Sequence, residues 1–189
     1  MMAEPFAVRR RLPARADELL DGAIRAFSRG GYDGTSTAEV AKEMGVSQPY
    51  VVSAFGSKES LFIETHRHAT DKMLAAFRSA KSDEFDPSRV GMAYKELVFN
   101  QPEALRIYNY GFAAVKYPAI AAEVRRVFGE VCRTLEDLGA TTVQIRDFLA
   151  RGFLINAVLS SELPSHADDL GLTDFILEVF GSSNTVHNR

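Results

Sequence analysis

Apolar residues recur along this chain at intervals of three and four, the period of a helix with one buried face. Ala16, Leu19, Leu20, Ala23, Ile24 and Phe27 mark a first helix, running from Ala14. Gly30-Gly31 ends it, because glycine enters the left-handed region without a Cβ clash. Ser36 and Glu39 stand at capping-box spacing. They predict a short helix with Val40, Ala41 and Met44 inward and Gly45 as its stop. Ser47 then serves as the N-cap of a third helix, receiving the N–H of Tyr50. Pro49 falls at the second position, where a missing N–H does little harm. Val46 and Val51 sit at hydrophobic-staple positions around that cap, and Phe55 lies one turn further on. Gly56-Ser57 breaks this helix and caps a longer one, with Leu61, Phe62, Thr65, Ala69, Met73, Leu74 and Phe77 along one face.

Beyond Lys81 the pattern pauses at SDEFDPS, a polar, proline-bearing stretch that reads as a link between an N-terminal head and a larger body. Helical periods resume near Pro87–Asn100, Pro102–Lys116, Pro118–Leu138, Thr141–Glu162 and Leu172–Phe180, punctuated by prolines and Gly139. No alternating strand pattern of useful length and no internal repeat occurs. The expected fold is all-α. A flexible basic arm spans 1–13, with Arg9-Arg10-Arg11. A three-helix head spans 14–60, a helical body 61–181 and a disordered tail 182–189.

Charge changes the picture little in total and much in placement. The 189 residues carry a formal net charge of −3, which argues against coating nucleic acid by charge alone. In the first 60 residues the bases (Arg9, Arg10, Arg11, Arg15, Arg25, Arg29, Lys42, Lys58) balance the acids (Glu4, Asp17, Glu18, Asp21, Asp33, Glu39, Glu43, Glu59). Any DNA contact must then come from where the charges sit. The single cysteine, Cys132, excludes an intramolecular disulfide and a thiolate-only metal site. The N-terminal residues lack the apolar core of a secretory signal, and no run of about 18 apolar residues suggests a membrane span. A soluble cytoplasmic protein is expected.

The stretch from Thr35 to Phe62 carries the chemistry. Two short helices meeting at Gly45 have the form of a helix-turn-helix, in which the second helix lies in the major groove. From Gly45 to Lys58 there is no Asp or Glu to repel phosphates. Gln48 can donate and accept at adenine, and Pro49 can press on a thymine methyl. Tyr50 can stack on or bond to the backbone, with Ser47 and Ser53 nearby. Lys58, at a helix start, can reach a phosphate beside free backbone N–H groups, and Thr35 and Thr37 are placed to do the same. A plain helical hairpin is the alternative for the turn alone; the caps, staple, acid-free face and Lys58 together favour DNA.

The run through Phe27, Gly31, Tyr32, Thr35-Ser36, Val40-Ala41, Gly45-Val46-Ser47, Phe55, Lys58-Glu59 and Leu61-Phe62 resembles the TetR family of bacterial transcriptional regulators, over about the first third of the chain. RDFLARGFLINAVL resembles it more weakly near the end. The resemblance implies an all-helical homodimer whose N-terminal heads bind operator DNA and whose bodies bind a small effector. Gln48-Pro49 is similar to the start of the recognition helix in some members. Val51-Val52 stands where many members have Leu-Tyr, so Tyr50 is the expected substitute for their phosphate-contacting tyrosine.

Tyr94, Arg106, Asn109, Tyr110 and Phe112 combine polar groups with aromatic surface and are candidate effector contacts; each could equally be core. Phe148, Gly152, Phe153 and Asn156, with Phe175 and Val179, would suit a four-helix dimer interface. His66 and His68, two apart on a helix, read as a solvent-facing pair. No metal, cofactor or catalytic constellation is expected. The expected function is a dimeric, ligand-responsive repressor reading a palindromic operator. A small-molecule-binding protein without specific DNA recognition is the alternative, and an enzyme on a helical scaffold a more distant one.

Overall fold

The computed structural model describes residues 15–180; the expected basic arm and C-terminal tail lie outside the described residues. Within them every regular element is helical: α1 (Ala16–Gly30), α2 (Thr37–Met44), α3 (Gln48–Phe55), α4 (Lys58–Ser79), α5 (Pro87–Asn100), α6 (Pro102–Ala113), α7 (Pro118–Asp137) and α8 (Thr142–Ser160). A 3₁₀ turn at Leu163–His166 leads into α9 (Ala167–Leu170) and α10 (Thr173–Phe180). Asp168-Asp169 fall within that short α9.

Local chemistry sets the ends of the first four helices. The Ser36 hydroxyl accepts from the Glu39 N–H at 3.2 Å, and the Glu39 carboxylate accepts from the Ser36 N–H at 2.7 Å. Gly45 closes α2 at φ 68°, ψ 30°, a conformation that costs a side-chain-bearing residue more than glycine. Ser47 Oγ accepts from the Tyr50 N–H at 3.3 Å, and Ser57 Oγ from that of Ser60 at 3.0 Å. Such caps are worth about 1 kcal/mol each.

Val40, Val51, Phe55, Leu61, Phe62 and Phe27 are buried together in the head core. That core does not stop at the head, for it is continuous with Ala104, Ile107, Ile120 and Val124 of α6 and α7. A second core joins the later turns of α4 to α5, α7 and α8 around Leu74, Phe77, Val90, Val127 and Leu135. The division expected at residue 60 therefore falls within α4, which runs unbroken from one core into the other. The polar segment after Lys81 joins α4 to α5, two helices packed on each other, with Phe85 turned into the second core. It is a turn inside the body and not a link between head and body.

Candidate nucleic-acid interface and ligand cavity

Packing of α3 against α2 and α4 buries Val51 and Phe55 and leaves the opposite side open. Ser47, Gln48, Pro49, Tyr50 and Ser53 are exposed there, Tyr50 by 42%. Val52, also on that side, is exposed by 48%; it was left out of the expected contact set because a valine cannot make the phosphate contact of the tyrosine it stands in place of. Gln48 Nε2 donates to Thr37 Oγ1 at 2.9 Å, which leaves its Oε1 and second amide hydrogen available. Thr35 is a correction: it is only 4% exposed, packed beside Gly30, so its side chain has no path to a phosphate.

Lys58 opens α4 with its ammonium 4.7 Å from the centre of the Tyr32 ring. The two acids of α2 are engaged within the head. Arg29 bonds the Glu43 carboxylate at 2.6 Å and holds its pKa below the ordinary value. The capping bonds from Ser36 do the same for Glu39.

The head is tied to the body by polar and aromatic contacts. Tyr117 Oη donates to Asp33 at 2.6 Å, and Lys116 pairs with Asp33 at 2.8 Å; the Lys116 bond lowers the Asp33 pKa first of all. Tyr32 meets Phe62 and Tyr117 edge-on. Asp21 of α1 accepts from Lys72 at 2.7 Å and contacts His68 Nε2 at 3.0 Å on α4. Glu123, buried on α7, is held by Arg67 and Arg126 at 2.7 and 2.6 Å. Burial would raise its pKa, but the two guanidinium groups bring it below the ordinary value.

The histidine pair is a second correction. His68 is engaged by Asp21, and His66 is 1% exposed with neither ring nitrogen hydrogen-bonded. Desolvation pushes the His66 pKa down to about 4, so it is neutral at pH 7. Its ring lies between Phe62 and Tyr108, with centroids 6.3 and 6.4 Å away. Sequence spacing carried a sign of this, because position 66 lies four residues after Phe62 and three before Ala69, within the buried stripe of α4; the polar residue type hid it.

A cavity of about 710 Å³ opens in the body, bounded by Phe77, Tyr94, Tyr108, Phe148, Phe153 and Asn156 among others. Of the five candidate effector residues only Tyr94 lines it. Arg106 is exposed. Asn109 Nδ2 donates to Ser160 at 2.8 Å. Tyr110 lies against Gly31, where a Cβ would come within 2.8 Å of the ring, so it belongs to the head–body joint. Phe112 stands behind the wall, edge-on to Tyr108 and Phe153. Conversely Phe148, Gly152, Phe153, Asn156 and Val179, expected at a dimer interface, line the cavity. Phe175 alone of that set is absent from the lining and lies exposed. Phe77, read only as part of a buried helical face, and Tyr108, not singled out, were missed, since core and cavity wall share one periodicity. No group of three or more metal-ligating side chains occurs among the described residues, and no described helix is long and apolar enough to cross a membrane.

Residues 19–65, which span α1 to the first turns of α4, match the family model for bacterial regulatory proteins of the tetR family. The HTH-type transcriptional regulator RutR of Escherichia coli (strain K12) is 30% identical over 103 residues, 52% of this chain and 48% of that protein. The HTH-type transcriptional repressor Rv1474c of Mycobacterium tuberculosis is 34% identical over 64 residues, 34% of each chain. This chain thus spans half or less of the curated relatives it matches. Across the whole fold, the multidrug binding protein EbrR superposes with a TM-score of 0.62 at 21% identity, over 92% of this chain and 96% of that one. A TetR-like transcriptional regulator from Rhodococcus sp. RHA1 does so with a TM-score of 0.57 at 20% identity, over 78% and 82%. Residues 19–65 thus carry a helix-turn-helix domain similar to that of the tetR family of bacterial regulatory proteins, within a helical fold similar to those of these solved structures.

Proposed function

We propose that this protein is a transcriptional repressor that binds a palindromic operator as a dimer and releases it when a small effector fills the body cavity. The observation that carries this is the pairing, in one chain, of an acid-free exposed face on α3 with a large cavity further along the same packed body. Ser47, Gln48, Pro49, Tyr50, Ser53 and Lys58, with Thr37 behind Gln48, form the DNA face, and Val52 adds an apolar contact suited to a thymine methyl. Two such heads would read half-sites about one helical turn, roughly 34–36 Å, apart. Exposed apolar residues of α8 and α10, including Leu154, Phe175 and Leu177, supply surface for the dimer.

Selection of bound DNA from a random pool tests this. A palindrome with that spacing is expected. Recovery of no common motif would leave a ligand-binding protein without specific DNA recognition. Gln48→Ala is expected to relax preference at one or two base pairs of each half-site, each worth about 1–3 kcal/mol. An unchanged selected motif would remove Gln48 from base reading.

A further inference from the structure

We propose that the body cavity takes an uncharged, largely aromatic or apolar ligand that presents one hydrogen-bond acceptor to Asn156 and Tyr108. The proposal rests on the effector-responsive function above and names the chemistry of the effector.

The deep wall is aromatic. Phe77 meets Tyr94 and Phe148 edge-on at 5.7 Å, and Tyr108 and Phe153 lie 6.5 Å apart. Such rings favour contact with another flat, weakly polar surface. The charged residues of the lining are Lys95, Asp147 and Arg151, and each is already engaged. Lys95 lies over the Phe99 ring at 5.7 Å, Asp147 pairs with Arg146 at 2.7 Å, and Arg151 reaches the Val179 carbonyl at 3.5 Å. Asp147 and Arg151 are also exposed. A charged ligand would give up its hydration here without a committed counter-charge.

The polar groups deeper in the wall are donors. Tyr94 Oη donates to Asn156 Oδ1 at 3.0 Å, which occupies the amide oxygen and leaves Nδ2 without a partner among the described residues. Asn156 is itself buried. The Tyr108 hydroxyl makes no hydrogen bond among the described residues, and burial pushes its pKa up to about 12, so it stays protonated. A donor desolvated without a partner is costly, so a ligand that fills the cavity must satisfy both groups, as a carbonyl, ether or hydroxyl oxygen would.

Room is provided by two glycines. Gly91 of α5 and Gly152 of α8 both line the cavity, and a Cβ at either would meet nothing within 4 Å. Glycine weakens a helix interior, and no close packing here requires it, so the effect of both residues is open volume.

Prodan, an uncharged naphthyl ketone, tests this directly, set against anilinonaphthalene sulfonate, an anion with a similar ring system. The chain contains no tryptophan, so dye emission is read without interference. One prodan per chain is expected, blue-shifted, binding about ten-fold or more tighter than the sulfonate. Gly152→Phe, or Gly91→Phe if that variant melts early, fills the cavity and abolishes binding. Asn156→Leu weakens binding about ten-fold and moves the bound emission further to the blue, because the ketone loses its donor. The double variant Tyr94→Phe/Asn156→Leu, which orphans no hydroxyl, behaves the same way. Equal or tighter binding of the sulfonate overturns the uncharged class. Binding untouched by either phenylalanine overturns the site, and unshifted emission in both Asn156 variants overturns the acceptor contact. Prodan binding is measured without DNA. Failure to select a DNA motif would therefore defeat the regulator function and leave the ligand chemistry standing.

Discussion

Gly111 lies where α6 packs on α4, and a Cβ there would stand 2.8 Å from His66 Cδ2 and 3.1 Å from Val124 Cγ2. Alanine is the better helix former by about 1 kcal/mol, yet overcrowding a packed interior costs about 1–3 kcal/mol. Gly111→Ala is therefore expected to lower the urea midpoint, and His66→Ala in the same chain to remove most of that cost. An additive double-mutant cycle would refute the contact. Lys58 acts at the same scale. Its ammonium is held over Tyr32 at the start of a helix, where backbone N–H groups also favour an anion. Lys58→Ala should weaken binding to all DNA sequences alike and reduce the salt slope by about one. An unchanged slope would take Lys58 out of the phosphate contacts.

α4, with α6 and α7, contributes to both cores. Its Phe62 meets Phe27 of the head at 5.1 Å, and its His66 lies beside Tyr108 of the cavity wall. Rings thus run in near contact from the helix-turn-helix core to the ligand cavity. His66 titrates within that run. Its pKa is about 4 in the folded chain against 6.5 for an unperturbed histidine, so between those limits the unfolded state binds more protons. Stability is then full above about pH 6.5, falls by roughly 1.4 kcal/mol per unit as pH drops, and loses no more from this group below about pH 4. Glu123 and Asp21, with lowered pKa values, add losses at more acid pH. His66→Leu should flatten the pH dependence of the melting temperature between 6.5 and 4. An identical slope in the variant would contradict a buried neutral histidine.

At the scale of the whole molecule, the question is how occupancy of the cavity reaches α3. Asp33 of the head holds Lys116 and Tyr117 at the α6–α7 junction, and Tyr117 packs on the Tyr32 ring under Lys58. Allosteric coupling is a free energy shared by two sites, typically 1–3 kcal/mol. Asp33→Ala removes an exposed tie without touching the cavity wall or the outer face of α3. It should leave ligand affinity near its original value while the ligand-dependent change in DNA affinity shrinks toward one-fold. Full retention of that change would show that this tie carries none of the coupling.

The sequence by itself determined what is local. Capping serines, stop glycines, the period of each helix and the absence of acids between Gly45 and Lys58 are properties of residues within a turn or two of one another. Each agrees with the structure, and the family likeness follows from the same short-range pattern. Which apolar faces close on each other and which stay apart is a long-range matter, decided by tertiary packing. Thr35 and the Tyr110 ring were drawn into packed contacts, and Asn109 into a bond to Ser160. His66, a polar residue at a position on the apolar stripe, was buried with it. Phe148, Phe153 and Asn156 were turned toward a cavity and not toward a simple core. Helical periodicity tells which side of a helix avoids water; it cannot tell whether that side meets another side chain or an empty space, because both present the same residues at the same spacing.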